Sequence, residues 1–389
     1  MTKVDSFRGR TVLMLSHVAG MVDMVALPLW VGTLVQHYKF DPQQAGGLVT
    51  LFLIAVVLAS VALAPRFDRM PRRWMATIGY AITAAAFFAT SKYVTFPMLA
   101  LLHFAGGLGV GCGLSFTHGV IGRSANPHRL FALAQFALGV FAVLFFGGVP
   151  KLIAANGGQA LFLVFAVLMI IAAIATGLSF PVGEIRSREM QAHHDASRIP
   201  NAAWFAIAGV SLLALNQGMM FSFVERIGVD HQFGQERVNM VLVAVGFINL
   251  LPAVMAVGMQ RMLSAKTVGM VAPILQAALA LTITQARTFE VYAVAASVYV
   301  FVMIFTHVFL FGLIARLDPS GRAAASTPAM NMTGSAIGPF LGGTLVVGFG
   351  YTAIGYAIVV IGLLALLCVS RIKVAAGPTL DIARRAVPL

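Results

Sequence analysis

Twelve runs of roughly 20 largely apolar residues follow one another along this chain, and that length matches the hydrocarbon core of a bilayer. In lipid a spanning segment must satisfy its own backbone, which leaves α-helices for runs of this length. The runs cover residues 11–36, 44–64, 74–92, 96–122, 129–154 and 159–181, then 202–225, 237–260, 267–286, 290–315, 323–348 and 351–371. The breaks between them are mostly short, so neighbouring helices run antiparallel. The longest internal break, 182–201, holds Glu184, Arg186, Arg188, Glu189, His193, His194, Asp195 and Arg198 and divides the runs six and six. The expected fold is an all-α membrane protein of twelve transmembrane helices in two pseudo-symmetric six-helix bundles. Its parts are an N-terminal bundle (1–181), a cytoplasmic central loop (182–201), a C-terminal bundle (202–372) and a cytoplasmic tail (373–389).

Composition agrees. Of 389 residues, 59% are hydrophobic and 10% charged, where a soluble domain carries about 25% charged residues. A net charge of +13 would suit a nucleic-acid binder if the chain were soluble. Here the bases read as orientation signals, and no nucleic-acid partner is expected. With the N-terminus inside, 20 of the 26 Lys and Arg fall in cytoplasmic segments, leaving Lys39, Lys92, Lys151, Arg226, Arg237 and Arg287 outside. Both termini are therefore expected in the cytoplasm. Lys3, Arg8 and Arg10 precede the first run as in a signal peptide, but that run outlasts a signal's apolar region and lacks a small-residue cleavage site. Cys112 and Cys368 sit far apart in apolar runs and read as packing residues.

The halves repeat. Arg123 to Arg129 reads R-S-A-N-P-H-R and Arg316 to Arg322 reads R-L-D-P-S-G-R, 193 residues on. Gly139 to Gly148 reads G-V-F-A-V-L-F-F-G-G and Gly334 to Gly343 reads G-S-A-I-G-P-F-L-G-G, with glycine at the same three positions. Duplicated halves of this kind put a substrate site between them near mid-membrane.

Residues 64–73, A-P-R-F-D-R-M-P-R-R, lie between the second and third runs. The segment resembles the loop motif of the major facilitator superfamily, G-x-x-x-D-R-x-G-R-R. Asp68, Arg69, Arg72 and Arg73 match it, while Ala64 and Pro71 replace its glycines. The resemblance implies secondary transport and gives this loop a role in holding one conformation. A carboxylate there is favoured by a helix N-terminus. In the fourth run, H-F-A-G-G-L-G stands where the family has R-x-x-Q-G-x-G, so His103 occupies the place of the arginine associated with proton transfer. The pattern G-x-x-x-G-P-x-x-G-G, found in the fifth helix of family exporters, is complete here in the eleventh run: Gly334, Gly338, Pro339, Gly342 and Gly343. Its physical content is close helix packing and a proline bend.

Ionisable residues at membrane depth are costly and mark pathways or partners. Asp23, midway along the first run, is the leading proton site. His103, His118, Glu225 and His307 are either further proton-coupling groups or core and interfacial residues. Asn216 and Gln217 lie near the place equivalent to Asp23 and suit substrate hydrogen bonding, with Asn249 and Asn331 as further amides. Met24, Trp30, Met220 and Phe221 offer an adaptable apolar lining. No phosphate-binding loop, cofactor motif, metal-ligand set or enzyme signature occurs. The resulting expectation is a monomeric carrier, in a bacterial cytoplasmic membrane, that exports a small organic compound by proton antiport. Uptake by symport or facilitated diffusion is the alternative, and a membrane enzyme or receptor a more distant one.

Overall fold

A computed structural model describes residues 3–4, 6–63, 66, 69–122, 124, 127–181, 200–260, 262–317 and 327–372. Fourteen helices account for nearly all of them: α1 Phe7–Gly20, α2 Val22–Gln36, α3 Pro42–Leu63, α4 Arg72–Thr90, α5 Phe96–Gly122, α6 Pro127–Asn156, α7 Gln159–Ser179, α8 Asn201–Asp230, α9 Gln235–Ile248, α10 Leu251–Met259, α11 Ala265–Thr284, α12 Phe289–Leu317, α13 Thr327–Phe349 and α14 Thr352–Ser370. Among the described residues there is no strand. With α1 and α2 taken as one rod, ten segments are long and apolar enough to cross a membrane. The other two rods are α4, which opens on Arg72 and Arg73, and the pair α9–α10. Twelve rods result, as the sequence predicts. The expected uninterrupted first and eighth runs are corrected: the first breaks at Met21 and the eighth at Asn249–Leu250.

Helix ends follow local chemistry. Asp41 caps α3 through the Gln44 amide at 2.7 Å, ahead of Pro42 in the first turn, where a proline's missing N–H costs nothing. Ser6 and Ser264 cap α1 and α11 in the same way, from the amides of Gly9 and Thr267. The pseudo-symmetry extends to backbone detail. Lys39 and Gln232 share a left-handed conformation (φ 61° and 60°), as do Gly157 and Gly350 (79° and 78°). Each pair lies 193 residues apart, the offset of the arginine repeat. The glycine match of 139–148 with 334–343 has an offset of 195 instead, about half a turn out of phase on a helix. The packing differs accordingly. Gly147 and Gly148 face open space, whereas Gly342 and Gly343 are crowded.

The rods alternate in direction, so the bundle has a proximal end, where Phe7 starts, and a distal end, where Gln36 and Pro42 lie. The halves meet along three seams. On the first, α2 lies on α8 with Gly32 against Glu225. On the second, α6 lies on α9–α10, with Gly139 on Leu250 and Gly246 on the Val143 backbone. The third joins α3 to α13: Gly46 abuts Pro339, Gly343 abuts Pro42, and Gln43 donates to Thr344 at 3.1 Å. There the Thr50 hydroxyl donates to the Ala336 carbonyl at 2.6 Å and accepts from the Phe340 amide at 3.2 Å. Those two backbone groups are the pair that an unbroken helix would join to each other. The inserted hydroxyl sits at the Pro339 bend, a recognised cause of kinks.

These contacts run from mid-bundle to the distal end. The two broken rods show this: their distal pieces, α2 and α9, pack on the other half, while their proximal pieces, α1 and α10, pack chiefly within their own. The halves are therefore joined distally and part proximally.

Candidate functional site

The break at Met21 makes the middle of the first rod the start of a new helix, and a helix start has amides without intrahelical partners. Asp23 lies in that first turn. Its carboxyl lies near the backbone amides of Asp23 itself and Met24, and the residue is 3% exposed. The site is thus a buried acid at a helix start, the favourable end of a helix for negative charge. Met24 beside it is half-buried.

Six residues earlier on the same rod, His17 pairs with His118 of α5, Nδ1 to Nε2 at 2.9 Å, their rings 5.1 Å apart. His17 is buried, its Nε2 has no hydrogen-bond partner among the described residues, and the side chain of Gln135 on α6 approaches the ring. The pair lies on the proximal side of Asp23. Sequence reasoning missed His17, though an ionisable residue in an apolar run was the signal available. Beside the pair, the Tyr80 hydroxyl donates to the Ser16 carbonyl at 2.7 Å.

His103 stands apart from the His17–His118 pair. It sits near the distal start of α5, accepts at Nε2 from the Trp30 indole at 3.2 Å, and is held at Nδ1 by the Leu99 carbonyl at 2.8 Å. An acceptor on one nitrogen and a donor on the other describe a neutral imidazole with both positions filled. Trp30 likewise leaves the expected cavity lining. It is fully buried, with the rings of Phe52, Phe87 and Phe165 within 4.9–5.5 Å. Both belong to the aromatic core of the N-terminal half.

In the C-terminal half, Asn216 points inward rather than to the seam: its side-chain nitrogen donates to the Ile358 carbonyl of α14 at 3.4 Å, and its backbone carbonyl accepts from Tyr299 of α12 at 3.1 Å. Met220 and Phe221 line a small apolar cavity between α8, α9, α11 and α12, together with Val241, Val245, Tyr299 and Val300. That cavity belongs to one half and is not the space between halves. Asn216, Gln217, Asn249 and Asn331 each carry a buried side-chain carbonyl oxygen without a hydrogen-bond partner among the described residues. Asn249 lies at the α9–α10 break, next to Leu250 on the seam. His307 in mid-α12 has an unpartnered Nε2 and stacks on Phe311 at 5.5 Å. Gln276 of α11, which sequence reasoning passed over, is 1% exposed with both amide atoms unpartnered. Buried polar atoms left unpaired are rare and call for a water, ion or ligand.

Glu225 is 2% exposed at the distal end of α8. Its Oε1 accepts from Gln235 at 2.6 Å, and Oε2 lacks a partner.

Of the loop motif, Asp68 lies outside the described residues. Arg69 is exposed, and Arg73 donates to the Gly177 carbonyl in the last turn of α7, where a cation is favoured. In the packing motif, Gly334, Gly338 and Gly342 abut α8 at four-residue spacing, Gly343 abuts Pro42 of the other half, and Pro339 abuts Gly46. The motif is the face on which α13 packs between α8 and the other half, since small residues let backbones approach.

The model of the Major Facilitator Superfamily matches residues 12–333. No curated relative matches by sequence. Among solved structures, a D-xylose–proton symporter is similar at 17% identity and a TM-score of 0.72, over 94% of this chain and 96% of that one. A bacterial homologue of the human lysosomal transporter Spinster, inward-facing and unoccupied, gives 13% and 0.68, over 94% and 96%. The xylose transporter XylE from E. coli, partially occluded and inward open, gives 15% and 0.68, also over 94% and 96%. At these identities the likeness speaks to the fold.

Proposed function

Because the chain belongs to the Major Facilitator Superfamily, we propose that it carries a small organic compound across the cytoplasmic membrane by alternating access, coupled to protons through Asp23. The observation that carries this reading is the Asp23 carboxyl: buried at mid-bundle, at a helix break and near the amides of a helix start. A group so placed exchanges charge for neutrality only when a path to water opens, which is what coupling requires. The His17–His118 pair offers a route between Asp23 and the proximal side. The described bases crowd the proximal end (Arg66, Arg69, Arg72, Arg73, Lys266 and Arg371, for example), so we take that end as cytoplasmic. The conformation is then inward-open.

Gln217, Asn249 and Asn331, with Met24, are the side chains we assign to the solute; Trp30, His103 and Asn216 are given to the cores of the halves. We propose efflux by proton antiport, supported by a buried acid without a buried basic partner beside it among the described residues. Uptake by symport is the second reading, favoured by the similar D-xylose–proton symporter.

The test is proton movement in proteoliposomes on adding cationic, neutral and anionic solutes, comparing the parent with Asp23→Asn. Solute-driven proton flux that disappears in the variant, with solute exchange retained, supports the assignment. Transport without proton movement in either protein overturns coupling. The sign of the flux separates antiport from symport.

A further inference from the structure

Gly32 and Glu225 stand 193 residues apart, so they occupy equivalent places in the two halves. They also face each other across the seam. A side chain on Gly32 would collide with the Glu225 carboxyl, its Cβ falling 3.0 Å from Cδ. The glycine is what lets an acid lie flat on the backbone of α2. That acid has one oxygen served by Gln235, itself 3.2 Å from Asn239, and one oxygen with no donor. The other polar groups around it are arranged otherwise. Tyr292 of α12 gives its hydroxyl to the Val224 carbonyl at 2.6 Å. Arg226 and Asp230 follow on α8; the Arg226 charge lies within reach of the Glu225 carboxyl without donating to its free oxygen, and Arg226 also engages Tyr351 of the α13–α14 turn. From α2 the facing residue is Gly32.

A buried carboxylate oxygen without a donor is among the costliest arrangements in a protein, and a neutral acid removes most of that cost. We infer that Glu225 is a gate residue that binds a proton: its carboxyl holds the proton while α2 and α8 are joined distally, and the O–H bond breaks to distal water when the helices part. This goes beyond the coupling role of Asp23 but rests on the same alternating-access reading. One proton released per opening ties the open population to distal pH, rising by at most about tenfold per pH unit.

The experiment uses the full chain in liposomes, with Cys112→Ser, Cys368→Ser and Gly47→Cys. A Cβ at residue 47 meets Phe340 across the α3–α13 seam at an ordinary 3.6 Å, so the reporter thiol fits the closed state. The rate of alkylation by a membrane-impermeant maleimide is measured from the distal side against pH. Dividing by the rate for the same protein carrying Glu225→Gln removes the thiol's own titration. The expected ratio climbs with pH towards the tenfold-per-unit limit. A ratio independent of pH overturns the inference. Gly32→Ala is the second variant, since it pushes the carboxyl off its seat. The gate should then react fast at low pH as well as high, and an unchanged pH response overturns the inference too. Asp23→Asn separates the two proposals. If the gate response survives in Asp23→Asn and is lost in Glu225→Gln, the inference stands whatever the fate of the coupling assignment. If it is lost in Asp23→Asn and survives in Glu225→Gln, the inference falls and Asp23 remains.

Discussion

Replacing Thr50 with valine keeps the shape of the side chain and deletes the hydroxyl that bridges the α13 backbone. Two contacts between the halves go with it, the 2.6 Å bond to the Ala336 carbonyl and the 3.2 Å bond from the Phe340 amide. Each is worth about 1 kcal/mol net. Part of the loss is recovered, because the Ala336 carbonyl and Phe340 amide are the natural partners of a continuous helix and can bond each other. The net cost to the closed distal seam is then about 1–2 kcal/mol, which raises the distally open population by about five- to thirtyfold. The assay is alkylation of Gly47→Cys in a background lacking Cys112 and Cys368, at fixed pH. Thr50→Val should raise the rate by that factor, and Thr50→Ser, which keeps the hydroxyl, should leave it near the parent value. An unchanged rate for Thr50→Val, or equal acceleration by both variants, would refute the idea that this hydroxyl latches the halves.

Gly343→Ala places a Cβ 2.7 Å from the Pro42 carbonyl carbon, which is backbone and cannot swing aside. The distal seam should fail to close and transport should fall steeply, with the protein still folded by size-exclusion chromatography. Trp30→Phe strips His103 Nε2 of its donor and should cost about 1–3 kcal/mol of stability, seen as a lower unfolding temperature in detergent. The solute profile should not change, because Trp30 is sealed in the aromatic core. His17→Ala should slow proton flux while leaving solute exchange in place, read in the same proteoliposomes. Equal loss of both would assign the pair to structure alone.

The twelve rods, their alternating directions and the two-fold repeat were legible in the sequence, because lipid leaves a long apolar run no choice but a helix and arginines mark its ends. The burial of Asp23 and Glu225 was legible too, since an acid inside such a run stands out against its neighbours. What each polar residue faces was not legible. His103 and His118 share one helix, yet one is absorbed by Trp30 and the other pairs with His17, 101 residues away. Asn216 and Gln217 are adjacent, and only the former turns into its own bundle. The glycine pattern misled by two residues, because half a turn of phase decides whether a glycine meets a neighbouring backbone or open space. The breaks at Met21 and Asn249–Leu250 lie beside Gly20 and Pro252, but within an apolar run long enough to span the bilayer neither residue by itself says whether the helix bends or stops. Helix identity is a local property of twenty residues and their solvent, and sequence alone determined it. Which oxygen lacks a donor, and which glycine makes room for it, depends on the rotation and approach of helices hundreds of residues apart, and only the tertiary structure decided that.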